Sequence, residues 1–189
     1  MPENAVLTLV RHGRPDLSPW RWSRRSDFAR FLLEFDSVPI NPSWAPPDSV
    51  VDRVNAAGAV FSSTAARAVT SAELLLNDRS PISDPLFLEA PVAVPPLPLV
   101  LPLPAWTVLG RLMWMAGVRS ALETPAQARV RAGAAAEVLA EAVRRHGSVA
   151  LVGHGWFNRM IGVALLARGW RGKPSGGHGY WSHRGFFIP

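Results

Sequence analysis

The sequence predicts an α/β fold: a three-layer α/β/α sandwich with a mostly parallel central sheet. Two observations predict it. Short apolar segments alternate along the chain with segments whose apolar residues recur at helical spacing, the mark of strand–helix–strand units laid into one sheet. Three of the apolar segments also run straight into residues loaded with chemistry: Arg11-His12-Gly13, Ser62-Ser63 and Gly153-His154-Gly155. In open α/β sheets, ligands bind beyond the carboxyl ends of the strands.

Composition sets the limits. The 189 residues are 48% hydrophobic and 18% charged, which suits a folded domain with a real core rather than a disordered chain. The sequence contains no cysteine, so disulfides, thiolate metal sites and cysteine nucleophiles are excluded together. MPENAVLTLV has no basic leader pattern, and no run of 18 apolar residues occurs, so the expectation is a cytoplasmic protein with no membrane span. The formal charge of +6 comes from 19 arginines and one lysine. Arginine reads phosphate through two parallel hydrogen bonds, so the balance suits an anionic ligand, either a metabolite or a nucleic acid.

The elements follow in order. AVLTLV, residues 5–10, reads as a buried strand. Residues 26–36 place Phe28, Phe31, Leu32 and Phe35 at helical spacing, with Ser26 or Asp27 as the cap. Four prolines between 39 and 47 make residues 37–48 a loop. AVFS, residues 59–62, is a second strand, and Ser63 is placed to cap the helix that follows. Residues 90–104 are apolar but hold six prolines, so they are predicted to form an extended, polyproline-like connection. A short helix over 105–116 contains Trp106, Leu109, Met113 and Trp114. Thr124, Pro125 and Gly147 delimit a clear helix whose last turn carries Arg144, Arg145 and His146. VALVG, residues 149–153, is a third strand, and a helix follows from His154 with Phe157, Met160, Ile161, Ala164 and Leu165 on one face. The tail, residues 169–189, is a candidate for a final strand. No internal repeat or second domain is evident, so residues 1–189 read as one domain with a proline-rich cap around 90–118.

If the three loaded strand ends meet, two arginines, two histidines and one or two helix N-termini surround one point. That is a binding site for a phosphoryl group. The residues there resemble a known family, the histidine phosphatase or phosphoglycerate mutase-like superfamily. Its Arg-His-Gly motif is matched by LVRHGRP, residues 9–15, and its Ser-Ser…Arg-Ala motif by FSSTAARAVTSAELL, residues 61–75. Its late His-Gly is matched by ALVGHGWFNRMIG, residues 150–162. The three occur in family order and frame most of the chain.

The resemblance implies that His12 is the nucleophile and carries the phosphoryl group as phosphohistidine. It implies that Arg11, Arg67 and His154 neutralise the phosphoryl oxygens. It implies neither a metal nor an organic cofactor. The family's general acid follows the second-motif helix, where Glu89 stands in PLFLEAP; the Gly and Trp-Glu-Gly usual beyond it are replaced by APVAVPPLPLVLP. Gly13, Ser62 and Gly155 are candidates for substrate binding, although Ser62 and Ser63 also suit a capping role. The activity implied is hydrolysis of a small phosphomonoester. A phosphoglycerate mutase-like transferase, a protein phosphohistidine phosphatase and a non-catalytic binder of phosphorylated ligands or nucleic acid are the alternatives.

Three stretches stay open. PWRWSRR, residues 19–25, can line a pocket mouth, stack on nucleic acid or form a packed surface turn. The tail's His178, Tyr180, Trp181 and His183 suit packing or a pocket edge better than a metal site. The proline-rich segment can be a lid, a contact between two copies or a packed loop. The oligomeric state is not read from the sequence.

Overall fold

A computed structural model describes residues 6–17, 21–118, 123–173, 177 and 179–189. Its centre is a six-stranded sheet. β1 (Val6–Arg11), β3 (Ala59–Ser62), β4 (Ile82–Ser83) and β6 (Ser148–Gly153) are parallel, and β7 (Arg171–Gly172) and β8 (His183–Phe187) close one edge. The order is β4-β3-β6-β1-β8-β7, with β8 antiparallel to both β1 and β7. The predicted final strand is therefore β8.

Register brings the three loaded strand ends to one level. Arg11 pairs with Gly153, and Val152 pairs with Val10 on one side and Ser62 on the other. The ladder runs one step further: the His12 N–H donates to the Gly153 carbonyl at 2.9 Å, and the Ser63 N–H to that of Val152 at 3.1 Å. His12, Ser63 and His154 thus leave the sheet side by side.

Side chains alternate across the strands and build two cores. Leu7, Leu9, Val149 and Leu151 face α5 (Pro125–His146) and α6 (Gly155–Leu166). Val10, Val60, Ala150 and Val152 face the other layer, α2 (Asp48–Asn55) and α3 (Ala66–Leu75). α5 meets its neighbours through Ala128, Ala132, Ala135 and Ala136, whose small side chains allow close approach. Thr124 caps it by accepting from the Gln127 N–H, and Gly147 ends it at φ 76°, a conformation suited to glycine.

A third, smaller cluster lies outside these two cores. Phe28 of α1 (Arg25–Phe35) stacks on Trp106 of α4 (Leu103–Met115) with centroids 5.7 Å apart, and Leu103 completes the contact. A two-stranded ribbon, β2 (Trp22–Ser23) with β5 (Leu101–Pro102), ties them together, and Trp106 Nε1 donates to the Ser23 carbonyl at 2.8 Å. Residues 91–100 are irregular, as the prolines require, and Pro104 falls in the first turn of α4. Gly110 lets α4 lie against that segment: a Cβ there would stand 2.2 Å from the Ala93 carbonyl oxygen. α1, α4 and the proline-rich segment therefore pack as one unit.

Four expectations need correction. α2 occupies the end of the stretch expected to be loop and the residues after it; Val50 and Val54 are its buried face. α1 starts one residue earlier than predicted. Arg24 is its N-cap, while Asp27 accepts from the Arg24 N–H at 3.0 Å. Phe31, Leu32 and Phe35 are only half-buried. Ser63 does not cap α3, whose N-cap is Ala65; its hydroxyl is used elsewhere.

Candidate active site

His12 follows β1 and is 3% exposed. Its Nδ1 lies 2.7 Å from the Gly13 carbonyl oxygen. A carbonyl only accepts, so Nδ1 carries the proton and Nε2 keeps a lone pair. Gly13 is held in turn: its N–H donates to Ser71 Oγ at 2.8 Å, and Ser71 donates to the Arg67 carbonyl. A Cβ on Gly13 would stand 2.4 Å from the Trp181 ring, so glycine permits that ring to pack there.

Arg67, on the first turn of α3, is 1% exposed and links both histidines. Its Nε donates to His12 Nε2 at 3.3 Å, and its Nη2 lies 3.2 Å from His154 Nδ1. Nη1 donates to the Phe35 carbonyl at 2.7 Å and to Asp36 at 2.8 Å. The guanidinium also lies over the Phe35 ring at 4.3 Å. Because arginine only donates, His154 Nδ1 is an acceptor, so Nε2 carries the proton and donates to Ser63 Oγ at 2.9 Å. The two imidazoles meet edge-on, with centroids 5.2 Å apart.

Burial is the main force on both rings. It pushes His12 well below the ordinary histidine range, and the charges of Arg67 and Arg11 push the same way; the Gly13 carbonyl opposes them. His154 is pushed down by burial, then by Arg67, His12 and Arg11. Both are therefore neutral at pH 7, and His12 presents an unprotonated Nε2.

Arg11 lies with its guanidinium carbon 4.7 Å from the Tyr180 ring centroid, and Tyr180 is itself 5.9 Å from the His12 ring. Gly155 lets the Arg11 side chain pass: a Cβ there would stand 3.4 Å from its Cδ and Nε. His154 is the N-cap of α6, so that helix opens beside His12. Glu89 closes on the same turn. Its Oε1 accepts from the Phe157 N–H at 2.8 Å and the Ala90 N–H at 2.9 Å, and its Oε2 from the Trp156 N–H at 3.2 Å. An anion at a helix N-terminus is well placed.

The structure brings His12, Arg11, Arg67 and His154 together, with Glu89 at the margin on α6. Gly13 and Gly155 are there as backbone that lets other groups approach, and the Gly13 N–H is already committed to Ser71. Ser62 is the exception. It is fully buried and its hydroxyl bonds Ser83 Oγ at 2.7 Å, so it ties β3 to β4 instead of facing a ligand. Of the open stretches, Trp181 packs on Gly13 and Tyr180 edges the site, while His178, Pro19 and Trp20 lie outside the described residues. Trp22 stands exposed on the β2–β5 ribbon.

Sequence reasoning did not single out Asp36, Ser71 or Asn158. Ser71 is four residues beyond Arg67, one helical turn, and that spacing was the available signal. Asn158, 3% exposed, donates from Nδ2 to the Val10 carbonyl at 3.0 Å and so ties α6 to β1. Among the described residues, no group of three or more histidine, aspartate or glutamate side chains is arranged to hold a metal ion. No described helix is long and apolar enough to cross a membrane.

No family model and no curated protein matches the sequence. Solved structures do match the fold. A phosphoserine phosphatase mutant from Entamoeba histolytica, in complex with phosphoserine, aligns at TM-score 0.57 and 14% identity over 96% of this chain and 90% of that one. A mycobacterial glucosyl-3-phosphoglycerate phosphatase aligns at 0.57 and 18% identity over 95% and 88%. Mycobacterial hydrolase 1 aligns at 0.61 and 17% identity over 95% and 87%. This chain therefore has the α/β/α fold of these structures.

Proposed function

We propose that the protein is a phosphomonoesterase that works through a phosphohistidine on His12, needs no metal, and acts as one unit in the cytoplasm. One observation carries this reading. A buried, neutral histidine has its Nδ1 proton on a backbone carbonyl and its Nε2 lone pair among Arg67, Arg11 and the opening turn of α6. That is a nucleophile aimed at a site for an anion.

In the first step Nε2 attacks phosphorus, the P–N bond forms and the P–O bond to the alcohol breaks. Arg67 and Arg11 balance the charge on the phosphoryl oxygens. His154 Nδ1 holds the second arm of Arg67, while its Nε2 proton stays directed at Ser63 Oγ. The leaving oxygen needs a proton, and Glu89 is the carboxyl group at hand. Oε1 already accepts two N–H bonds, whereas Oε2 accepts one long one, so Oε2 is the oxygen to carry the proton. In the second step water attacks phosphorus, its proton passes to Glu89, the P–N bond breaks, and phosphate leaves with His12 neutral again.

The test is phosphate release from a panel of phosphomonoesters in the presence of chelator. Wild type should release phosphate and His12→Ala should not. Release that chelator abolishes, or that His12→Ala retains at the wild-type rate, would refute the reading.

A further inference from the structure

Along the outer side of α6 runs an apolar groove that the catalytic steps leave unused. Its volume is about 380 Å³, within the range of small-molecule sites. α6 and its C-cap contribute Trp156, Met160, Val163 and Ala167, spaced so that they form one continuous stripe. At 1.5 Å per residue that stripe is roughly 16 Å long. Trp114 at the end of α4 and Ala132 of α5 wall the other side. The proline-rich segment does not line it.

The α6 wall of the groove begins in the helical turn that His154 caps. Trp156 is two residues past His154, and its N–H is one of those that hold Glu89. On the adjoining face of α6, Gly155 lies against Arg11, and Arg159 stands one helical turn further along on the same side. Arg159 stacks on Trp156 at 5.5 Å, and it and Arg11 both act on Arg184, whose pKa is lowered first by burial and then by these two charges. Cationic groups therefore lead from His12 to the groove mouth. Arg129 of α5 stands on the other rim. Elsewhere on these helices and just beyond them, Arg131, Arg144, Arg145 and Arg168 pair with glutamates. Among the described residues, Arg129 and Arg159 form no ion pair. An apolar channel with unneutralised arginines at its rim complements an amphiphilic anion.

We propose that this groove holds the apolar body of the substrate, so that the enzyme acts on phosphomonoesters of long-chain apolar alcohols, with the phosphoryl group at His12 and the chain laid along α6. The inference rests on the hydrolytic reading above.

The experiment compares kcat/KM for ethyl, hexyl and decyl phosphate, each below its micelle concentration. Three proteins are compared: wild type, Val163→Asp in the middle of the groove, and Val138→Asp on an exposed part of α5 outside it. Wild type and Val138→Asp should prefer decyl to ethyl phosphate at least tenfold, and Val163→Asp should lose most of that preference. Ala167→Glu, at the exposed far end of the stripe, is a second variant with the same expected result. A flat chain-length series in wild type, or an undiminished decyl preference in both groove variants, overturns the proposal. A wild-type dimer in sedimentation that Val163→Asp splits also overturns it, because a second copy then covers the groove. Calorimetric binding of decylphosphonate separates the two readings. If no ester is hydrolysed but the phosphonate binds wild type and fails to bind Val163→Asp, the groove assignment stands and the hydrolytic reading falls.

Discussion

Arg67 Nε donates to His12 Nε2 at 3.3 Å, so the atom proposed to attack phosphorus is the acceptor of an arginine N–H. A phosphoryl oxygen is a far better acceptor for that N–H than an imidazole nitrogen. Substrate binding would therefore transfer the Arg67 bond to phosphate and release the lone pair in one movement. Phe35, Asp36 and His154 fix the rest of the guanidinium, so little else has to reorganise.

Arg67→Lys tests that arrangement. A lysine keeps the charge but cannot span His12, His154, the Phe35 carbonyl and Asp36 at once. The expected loss in kcat/KM is on the order of 10²–10³, the scale for removing one oriented donor to a transition-state oxyanion. A loss below fivefold would mean that charge alone matters there.

The buried histidines predict a pH dependence. His12 and His154 are held below the ordinary histidine range, so NMR titration should find both rings neutral at pH 6.5. Between the folded and unfolded pKa values the unfolded chain binds the protons that the folded chain refuses. Stability is thus fully present above about pH 6.5 and falls as pH drops below it, by up to roughly 1.4 kcal/mol per pH unit for each ring. Unfolding curves from pH 8 to pH 5 would show this. A midpoint at or above 6.5 for His12 would contradict it.

Glu89→Gln separates proton donation from helix bracing. As an acid, Glu89 should matter about 10²–10⁴-fold for alkyl phosphates. The burst of p-nitrophenol from p-nitrophenyl phosphate, whose leaving group needs no proton, should keep its rate, whereas the later hydrolysis, which passes water's proton to Glu89, should slow. Equal slowing of that burst and of alkyl ester turnover would show that Glu89 acts by holding the first turn of α6. Either way the variant weakens an N-terminal cap, with an expected cost of about 1 kcal/mol in urea unfolding.

Gly110→Ala tests the packing of α4 on the proline-rich segment. Its Cβ would meet the backbone oxygen of Ala93, which cannot swing aside as a side chain could. A destabilisation of ~1–3 kcal/mol is expected by denaturant titration. An unchanged midpoint would mean that α4 does not rest on the proline-rich segment as described.

What the sequence discloses here follows from how local each signal is. β1, β3 and β6 are short apolar runs ending in distinctive residues, and register alone then joins them, so the four central residues are legible. Asp36 is not, because it reaches Arg67 across 31 positions from the end of α1. Ser63 looks like a helix cap because Ser before a helical pattern usually is one. Its bond to His154, 91 positions away, is visible only once β3 and β6 are paired. α2 is short and follows a run of prolines, which hid the Val50–Val54 repeat. The groove along α6 needs α4, α5 and α6 in place, since no single segment encodes it.

The most direct test of the central claim is to trap the covalent intermediate. Wild type would be mixed with a phosphoryl-labelled ester that it turns over and quenched in alkali within one turnover, then mapped by mass spectrometry. The account predicts acid-labile, alkali-stable label on the peptide that contains His12, and none in His12→Ala. Turnover with no label on His12 would contradict it.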